Sequence, residues 1–341
     1  MADRTSIEWT DATWNPVRGC SRVSEGCRNC YAEVMAARFS GPGDWGEGLA
    51  EIVGPPGKRD HRWTGKVKLA EHLLDQPLRW RRPRRIFVNS TSDLFHEAIP
   101  DDWIDRVFAV MALAPQHTFQ VLTKRPERMR DYLTRHDVGL RWADATDKLP
   151  GAGVRVIWPE TVVRWTKEGL PNVWLGVSVE DQAAADSRIP PLLATPAAKR
   201  FISAEPLLGP INLGAIEGEW DALDDGADES VAPEPILDWV IAGGESGPGA
   251  RPMHPDWPRS LRDQCAAAGV PFFFKQWGEW APQGMSSERW IVRADGSHES
   301  STTPNGVGRH AMRDGGCFVY RVGKKAAGAT LDGREHREFP A

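Results

Sequence analysis

Three cysteines stand in one short stretch, Gly19-Cys20-Ser21-Arg22-Val23-Ser24-Glu25-Gly26-Cys27-Arg28-Asn29-Cys30-Tyr31, and the whole chain has only five. Packing alone does not gather three thiols in a polar, glycine-punctuated loop. Three thiolates at this spacing can hold one metal centre and hold it incompletely. A cubane iron–sulfur cluster takes one cysteine per iron, four in all. With three, one iron stays open. An open iron that chelates the amino and carboxylate groups of a methionine is the arrangement radical S-adenosylmethionine (SAM) chemistry needs.

Other chemistries compete for the same residues. A structural zinc site wants four ligands. Cys27-x-x-Cys30 is one knuckle and Cys20 a third ligand, and His61, His72 or His96 could supply a fourth, although none has knuckle spacing. A disulfide framework is disfavoured in a 341-residue chain with an odd number of cysteines. Redox-active or inert thiols remain open. Cys265 and Cys317 read as ordinary packed cysteines.

The elements that must position these groups are short apolar runs ending in polar residues. They are Arg85–Asp93, Thr118–Arg125, Val173–Glu180, Lys199–Pro206, Leu237–Ser246 and Pro271–Trp277. Their cores are rich in Val, Ile, Phe and Trp, as suits buried parallel strands. Helical patterns lie between most of them. Asp101–Leu113 has apolar residues at 103, 104, 107, 108, 110, 111 and 113, with acids at its N-terminus to complement the helix dipole. Pro126–Leu133 opens with proline, Asp181–Leu193 reads likewise, and Trp257–Ala268 ends at Gly269, a natural C-cap. The alternation makes the class α/β with a parallel sheet.

With a short strand before Cys20 there are about seven strands. Polar tails sit at nearly every strand end rather than at one switch point. That favours a partial or modified (β/α) barrel with a site at its C-terminal mouth, over a doubly wound open sheet. The expected core is residues 1–280, with a C-terminal extension over 281–341. Three insertions interrupt it. Residues 41–65 read as a glycine- and proline-rich loop or lid, 136–171 holds a helix near Glu160–Lys167, and 214–235 is acidic and expected to be exposed. Strand-like runs in the extension are Arg289–Arg293 and Cys317–Arg321.

The strand ends carry the remaining candidates. Asn89, Ser90, Ser92 and Asp93 can accept hydrogen bonds from an ammonium such as that of SAM. Ser178 and Glu180, and then Ser203 and Glu205, end two later strands, where a carboxylate can grip ribose hydroxyls. Gly243-Gly244-Glu245-Ser246 lets a ligand approach bare backbone beside a carboxylate. For each, capping of the following helix is the plain alternative. Thr123-Lys124-Arg125 and Lys275-Gln276-Trp277 supply cations for a substrate phosphate or carboxylate, with a salt bridge to Glu205 or Glu245 as the plain alternative. Arg79-Trp80-Arg81-Arg82-Pro83-Arg84-Arg85 can clamp phosphates and stack on bases, or be a solvated helix end.

Composition excludes some classes. Hydrophobic content of 40% and charged content of 26% are ordinary for a globular protein, and the net charge of −5 makes no overall case for nucleic-acid binding. No apolar run approaches membrane-spanning length. The N-terminal Met1–Trp9 has no signal-peptide core, so a cytoplasmic location is expected.

Six segments together resemble a known family. They are Trp9-Thr-Asp-Ala-Thr-Trp-Asn-Pro16, the three-cysteine loop, Phe87–His96, Leu122-Thr-Lys-Arg-Pro126, Ala242–Ser246 and Phe274-Lys-Gln-Trp-Gly278. The resemblance is to phage and bacterial proteins of unknown function with a three-cysteine motif, and it runs from about residue 6 to 280. It implies a barrel of the radical SAM type, with Cys20, Cys27 and Cys30 on a [4Fe–4S] cluster and SAM as cofactor. It also implies an electron donor and, in some members, a three-Cys-motif partner protein. Nucleic-acid modification or lesion repair is the substrate class the phage context suggests. The commonest radical SAM loop is Cys-x3-Cys-x-aromatic-Cys. Here the first gap is six residues, and the aromatic, Tyr31, follows Cys30. A zinc-stabilised, non-enzymatic nucleic-acid-binding protein is the alternative. A metal-dependent hydrolase lacks a His-x-His pair or dense carboxylate cluster to support it.

Overall fold

A computed structural model describes residues 5–55, 60–149, 159–217, 221–223, 236–300 and 315–341. Its central sheet has seven strands: β1 (Ala12–Trp14), β2 (Arg85–Val88), β3 (Thr118–Thr123), β4 (Val173–Ser178), β5 (Lys199–Ala204), β6 (Trp239–Gly243) and β7 (Phe272–Gln276). They lie in the order of the sequence, β1 to β7, and the registered pairs are parallel. A doubly wound sheet reverses its order at a switch point, and this one does not. Sequential parallel order is what a partial (β/α) barrel has, as expected.

The strands form where buried apolar runs demand it. All five residues of β6 are buried, and so are Ile86, Phe87 and Val88 of β2. Such two-sided burial is typical of parallel strands covered by helices. The helices include α1 (Tyr31–Arg38), α2 (Asp101–Leu113), α3 (Pro126–Leu133), α4 (Val138–Thr146), α5 (Pro159–Glu168), α6 (Gln182–Leu193) and α7 (Asp256–Ala268). Gly269 caps α7 in the left-handed region at φ 69°, where a side chain would be strained. Among the described residues, no helix is long and apolar enough to cross a membrane.

Contacts divide the chain into two compact units. The first comprises residues 1–24, 30–177 and 191–200; the second comprises 25–29, 178–190 and 201–341. In the first, Trp14 is fully buried and its Nε1 donates to the Leu73 carbonyl at 2.8 Å. In the second, Trp239 is fully buried and its Nε1 donates to the Glu338 carbonyl at 2.8 Å.

The insertions are more ordered than expected. Residues 41–65 contain an antiparallel pair, Ala50–Val53 with Asp60–Trp63, rather than loop alone. The stretch 136–171 holds two helices, α4 as well as the expected α5, and residues 150–158 lie outside the described residues. In 214–235, Gly214, Glu217 and Asp221 are exposed, as expected, whereas Ile216, Ala222 and Leu223 are buried. Residues 218–220 and 224–235 of that insertion lie outside the described residues. The C-terminal region forms a four-stranded antiparallel sheet in the order Trp280–Ala281, Cys317–Arg321, Arg289–Val292, His298–Ser300.

Candidate functional site

In the first unit the chain leaves β1 and is pinned before it reaches Cys20. Asn15 Oδ1 accepts from Ser90 Oγ and Thr91 N, each at 3.1 Å, and Ser92 Oγ donates to the Val17 carbonyl at 2.9 Å. Gly19 sits at φ 91°, and a Cβ there would lie 2.1 Å from the Lys66 carbonyl oxygen, so no other residue fits. Serines 90 and 92 thus fasten the loop to the end of β2.

Asp93 and Arg125 form the charged centre of this unit. Asp93 Oδ1 accepts from Thr123 Oγ1 at 2.7 Å and Phe95 N at 3.0 Å. Its Oδ2 accepts from Lys124 N at 3.0 Å and Arg125 Nη1 at 3.1 Å. Arg125 is buried, and its fork also reaches Glu97 Oε2 (2.8 Å), Ser21 Oγ (2.7 Å), the Ser21 carbonyl (3.3 Å) and Cys20 Sγ (3.9 Å). Burial and the Asp93 carboxylate push the Cys20 thiol up to about 12; Arg125 pulls the other way and Cys30 adds to the rise. Cys30 itself precedes α1, and Tyr31 Oη donates to the Ser90 carbonyl at 2.6 Å.

A second clamp in this unit lies between the cysteines. Arg22 donates through Nε and Nη2 to the Glu33 carboxylate, and through Nη2 to the His61 carbonyl at 2.9 Å. The Trp63 amide donates to Glu33 Oε1 at 2.7 Å. Of the three histidines weighed as a fourth ligand, His96 puts its ring on the loop, 2.9 Å from Ser21 Oγ. Burial first, then Arg125, holds His96 below the usual imidazole range.

In the second unit, Cys27 closes a 3-10 turn, Glu25–Cys27. A Cβ on Gly26 would lie 3.0 Å from the Glu180 carboxylate, so that acid fills the space a side chain would need. Arg188 holds Glu180 with contacts of 2.8 and 3.3 Å. Arg251 donates to Glu245 at 2.7 Å and to the Glu25 carbonyl at 2.9 Å, while Asn29 Nδ2 donates to Glu245 Oε2 and to the Gly249 carbonyl, both at 2.9 Å. The turn carrying Cys27 is therefore held by groups from the ends of β4 and β6.

The other strand-end candidates of this unit pair among themselves. Lys275 Nζ lies 3.0 Å from Glu205 Oε1, the salt bridge weighed from sequence, and Ser203 Oγ approaches Glu205 Oε2 at 3.4 Å. Ser178 offers its carbonyl to Arg188 at 2.7 Å. A Cβ on Gly243 would stand 2.7 Å from Glu205 Oε1, and one on Gly244 would stand 2.0 Å from the Trp277 carbonyl oxygen. Gln276 Nε2 donates to Ser246 Oγ at 2.9 Å, and the buried Trp277 donates its Nε1 to the Thr330 carbonyl at 2.8 Å.

The arginine run is partly engaged in the first unit. Arg79 pairs with Asp75 at 3.3 Å, Arg84 lies over Trp80 at 4.8 Å, and the Arg85 backbone N–H donates to Asp11 at 2.8 Å. Arg81 and Arg82 are exposed. Arg85 opens β2, whereas Asn89 to Asp93 follow its other end.

Sequence reasoning missed Arg22, Glu33, Glu97, Arg188, Asn29 and Arg251. Glu33 carried a signal, as an acid on a helix face with Ala32 and Ala36. The arginines carried none, since separations of 11, 8 and 6 residues from Glu33, Glu180 and Glu245 match no helical or strand pairing pattern. Asn89 and Gln276 keep unmatched polar atoms: among the described residues, Asn89 Nδ2 and Gln276 Oε1 have no hydrogen-bond partner and are buried. Among the described residues, no group of three or more His, Cys, Asp or Glu side chains is arranged to hold one metal ion.

The family described as "Protein of unknown function (DUF5131)" has a model that matches residues 4–340, and the chain belongs to that family. No curated protein and no solved structure matches it.

Proposed function

We propose that this member of the family is an iron–sulfur enzyme of the radical SAM kind, with Cys20, Cys27 and Cys30 as cluster ligands. One observation carries the reading. The three-cysteine loop follows the first strand of a sequentially ordered parallel sheet, and its first sulfur is met by Arg125 from the end of β3. The donor chemistry fits. A cubane takes one sulfur on each iron, so its ligands need not converge on a single point as those of a lone ion must. Cys30 adds to the cost of ionising Cys20, and bound iron cations would offset that cost.

Cleavage of SAM to methionine and a 5′-deoxyadenosyl radical, after one-electron reduction by a donor protein, is the chemistry such a cluster supplies when bound. The chain's own residues prepare the place. Asn15, Ser90, Ser92 and Gly19 fix where the loop departs. Arg125 and Arg22 hold its first half, and Arg251 and Asn29 hold the turn at Cys27. Nucleic acid is the substrate class to test first, because Arg81 and Arg82 stand exposed beside Trp80.

Anaerobically purified protein is expected to be brown, with about four irons and four sulfides per chain. Changing Cys20, Cys27 or Cys30 to Ala removes them; changing Cys265 or Cys317 does not. With SAM and dithionite the protein should yield 5′-deoxyadenosine. Stoichiometric zinc after anaerobic iron reconstitution would overturn the reading and favour the zinc-stabilised nucleic-acid-binding protein.

A further inference from the structure

The guanidinium of Arg125 has five N–H donors in a rigid fork, and the first unit uses all of them. Nε goes to Glu97 Oε2 at 2.8 Å. Nη1 goes to Asp93 Oδ2 at 3.1 Å and Cys20 Sγ at 3.9 Å. Nη2 goes to Ser21 Oγ at 2.7 Å and the Ser21 carbonyl at 3.3 Å. The side chain is 9% exposed and its partner Asp93 also 9%. A cation so buried and so completely committed has no donor left for a substrate phosphate. What it touches that can react is the sulfur.

We propose that Arg125 is a positioning residue for the metal centre. It holds Cys20 in place for metal binding through one N–H···S contact, while Nη2 locks Ser21, and Asp93 and Glu97 anchor the rest of the fork. This rests on the reading of the three cysteines as cluster ligands. Two consequences follow. Outer-shell partners of a metal ligand typically govern affinity by 10–100-fold. Hydrogen bonds to cluster sulfurs and nearby positive charge also raise the reduction potential, because reduction adds negative charge. A lysine cannot reproduce this. Its ammonium is a point donor and cannot serve Asp93, Glu97, Ser21 and the sulfur together.

The test uses the full-length chain, reconstituted anaerobically with iron and sulfide, and reads the iron and sulfide retained per chain against a chelator series. Arg125→Met and Arg125→Lys are compared with the unchanged protein, with Cys20→Ser as the reference for a lost ligand. Both variants should give up their iron at a chelator concentration about tenfold or more lower. Arg125→Met leaves Asp93 buried without its cation and can fail to fold. Arg125→Lys, checked by circular dichroism, then decides. A tenfold change in the reduction equilibrium is ~59 mV, and Arg125→Met, which removes both donor and charge, should shift the potential negative by at least that amount where it folds. Unchanged iron retention in folded Arg125→Lys would overturn the proposal and leave the iron–sulfur reading intact. An unchanged protein that takes up no iron would overturn both.

Discussion

Arg22 lies in the loop between Cys20 and Cys27, and replacing it with methionine tests whether the loop is held by a buried ion pair. The Glu33 side chain is 1% exposed and that of Arg22 20%. Arg22 Nε donates to Oε2 at 2.9 Å and to Oε1 at 3.1 Å, and Nη2 makes a further contact to Oε2. Removing one partner of a buried pair costs about 3–5 kcal/mol, because the remaining charge is stranded. Two features place this case at the low end. Arg22 is partly solvated, and the Trp63 amide at 2.7 Å still serves Glu33. The expected loss is about 3 kcal/mol for Arg22→Met. The double variant Arg22→Met with Glu33→Met removes both charges and should lose only about 1 kcal/mol, about 2 kcal/mol less than Arg22→Met alone. Urea unfolding of the metal-free chain measures the totals, and hydrogen exchange at the Trp63 amide reports locally. A loss under about 0.5 kcal/mol for Arg22→Met, or a double variant as unstable as the sum of the two singles, would refute the clamp.

Other changes test the site by different physics. Gly26→Ala brings a methyl to 3.0 Å from the Glu180 carboxylate, whereas Gly244→Ala brings one to 2.0 Å from a backbone carbonyl. The first should cost about 1–3 kcal/mol and the second more, since backbone cannot swing aside; equal unfolding midpoints would contradict this. At Glu97, burial raises the carboxyl, but its own backbone N–H and Arg125 outweigh that and hold it at about 2. Its contribution to stability is therefore present above pH 4.5 and lost as pH falls through about 2. Carboxyl titration by NMR in the metal-free chain should show this, and an ordinary Glu97 midpoint would sink it. Asn89 sits at φ 61°, a left-handed conformation open to Gly and Asn but strained for β-branched residues. Asn89→Gly should cost under about 1 kcal/mol and Asn89→Val clearly more, by the same unfolding measurement.

The sheet was legible because parallel strands covered on both sides are continuous apolar runs. Ile86-Phe-Val88 and Trp239-Val-Ile-Ala242 have no polar alternation to confuse them with surface strands. Helix α7 was legible from its capping glycine. Other elements lacked such marks. The pair Ala50–Val53 and Asp60–Trp63 sits amid glycines and prolines, and its strands carry Glu51, Asp60, His61 and Arg62, so neither apolar run nor clean alternation was visible. Helix α4 contains Gly139, which argues against a helix by propensity. The reason for that glycine is tertiary: a Cβ there would stand 2.5 Å from Thr166 Oγ1 and the Val162 carbonyl of α5.

The site was legible in its acids and not in their partners. Asp93, Glu180, Glu205 and Glu245 all stand at strand ends, as their positions in the sequence implied. Each has a cation: Arg125, Arg188, Lys275 and Arg251. A carboxylate carried inward by a strand must be neutralised or paired, and the pairing residue can come from anywhere in the chain. Arg188 is eight residues from its acid and Arg125 is thirty-two. The pairs do more than neutralise. Arg125 reaches Cys20 and Ser21, Arg251 reaches the Glu25 carbonyl, and Glu180 lies against Gly26. Two of the four strand-end acids, Asp93 and Glu245, thus spend their charge on fixing the cysteine segment, directly or through their arginine, and a third, Glu180, packs against Gly26. A carboxylate that already binds an arginine can grip a cofactor only with its remaining lone pairs, so these three read first as positioning groups for the loop. The fourth, Glu205, faces a lysine whose single ammonium is more easily displaced than a guanidinium fork, which makes the Glu205–Lys275 pair the strand-end position most open to exchange with a ligand.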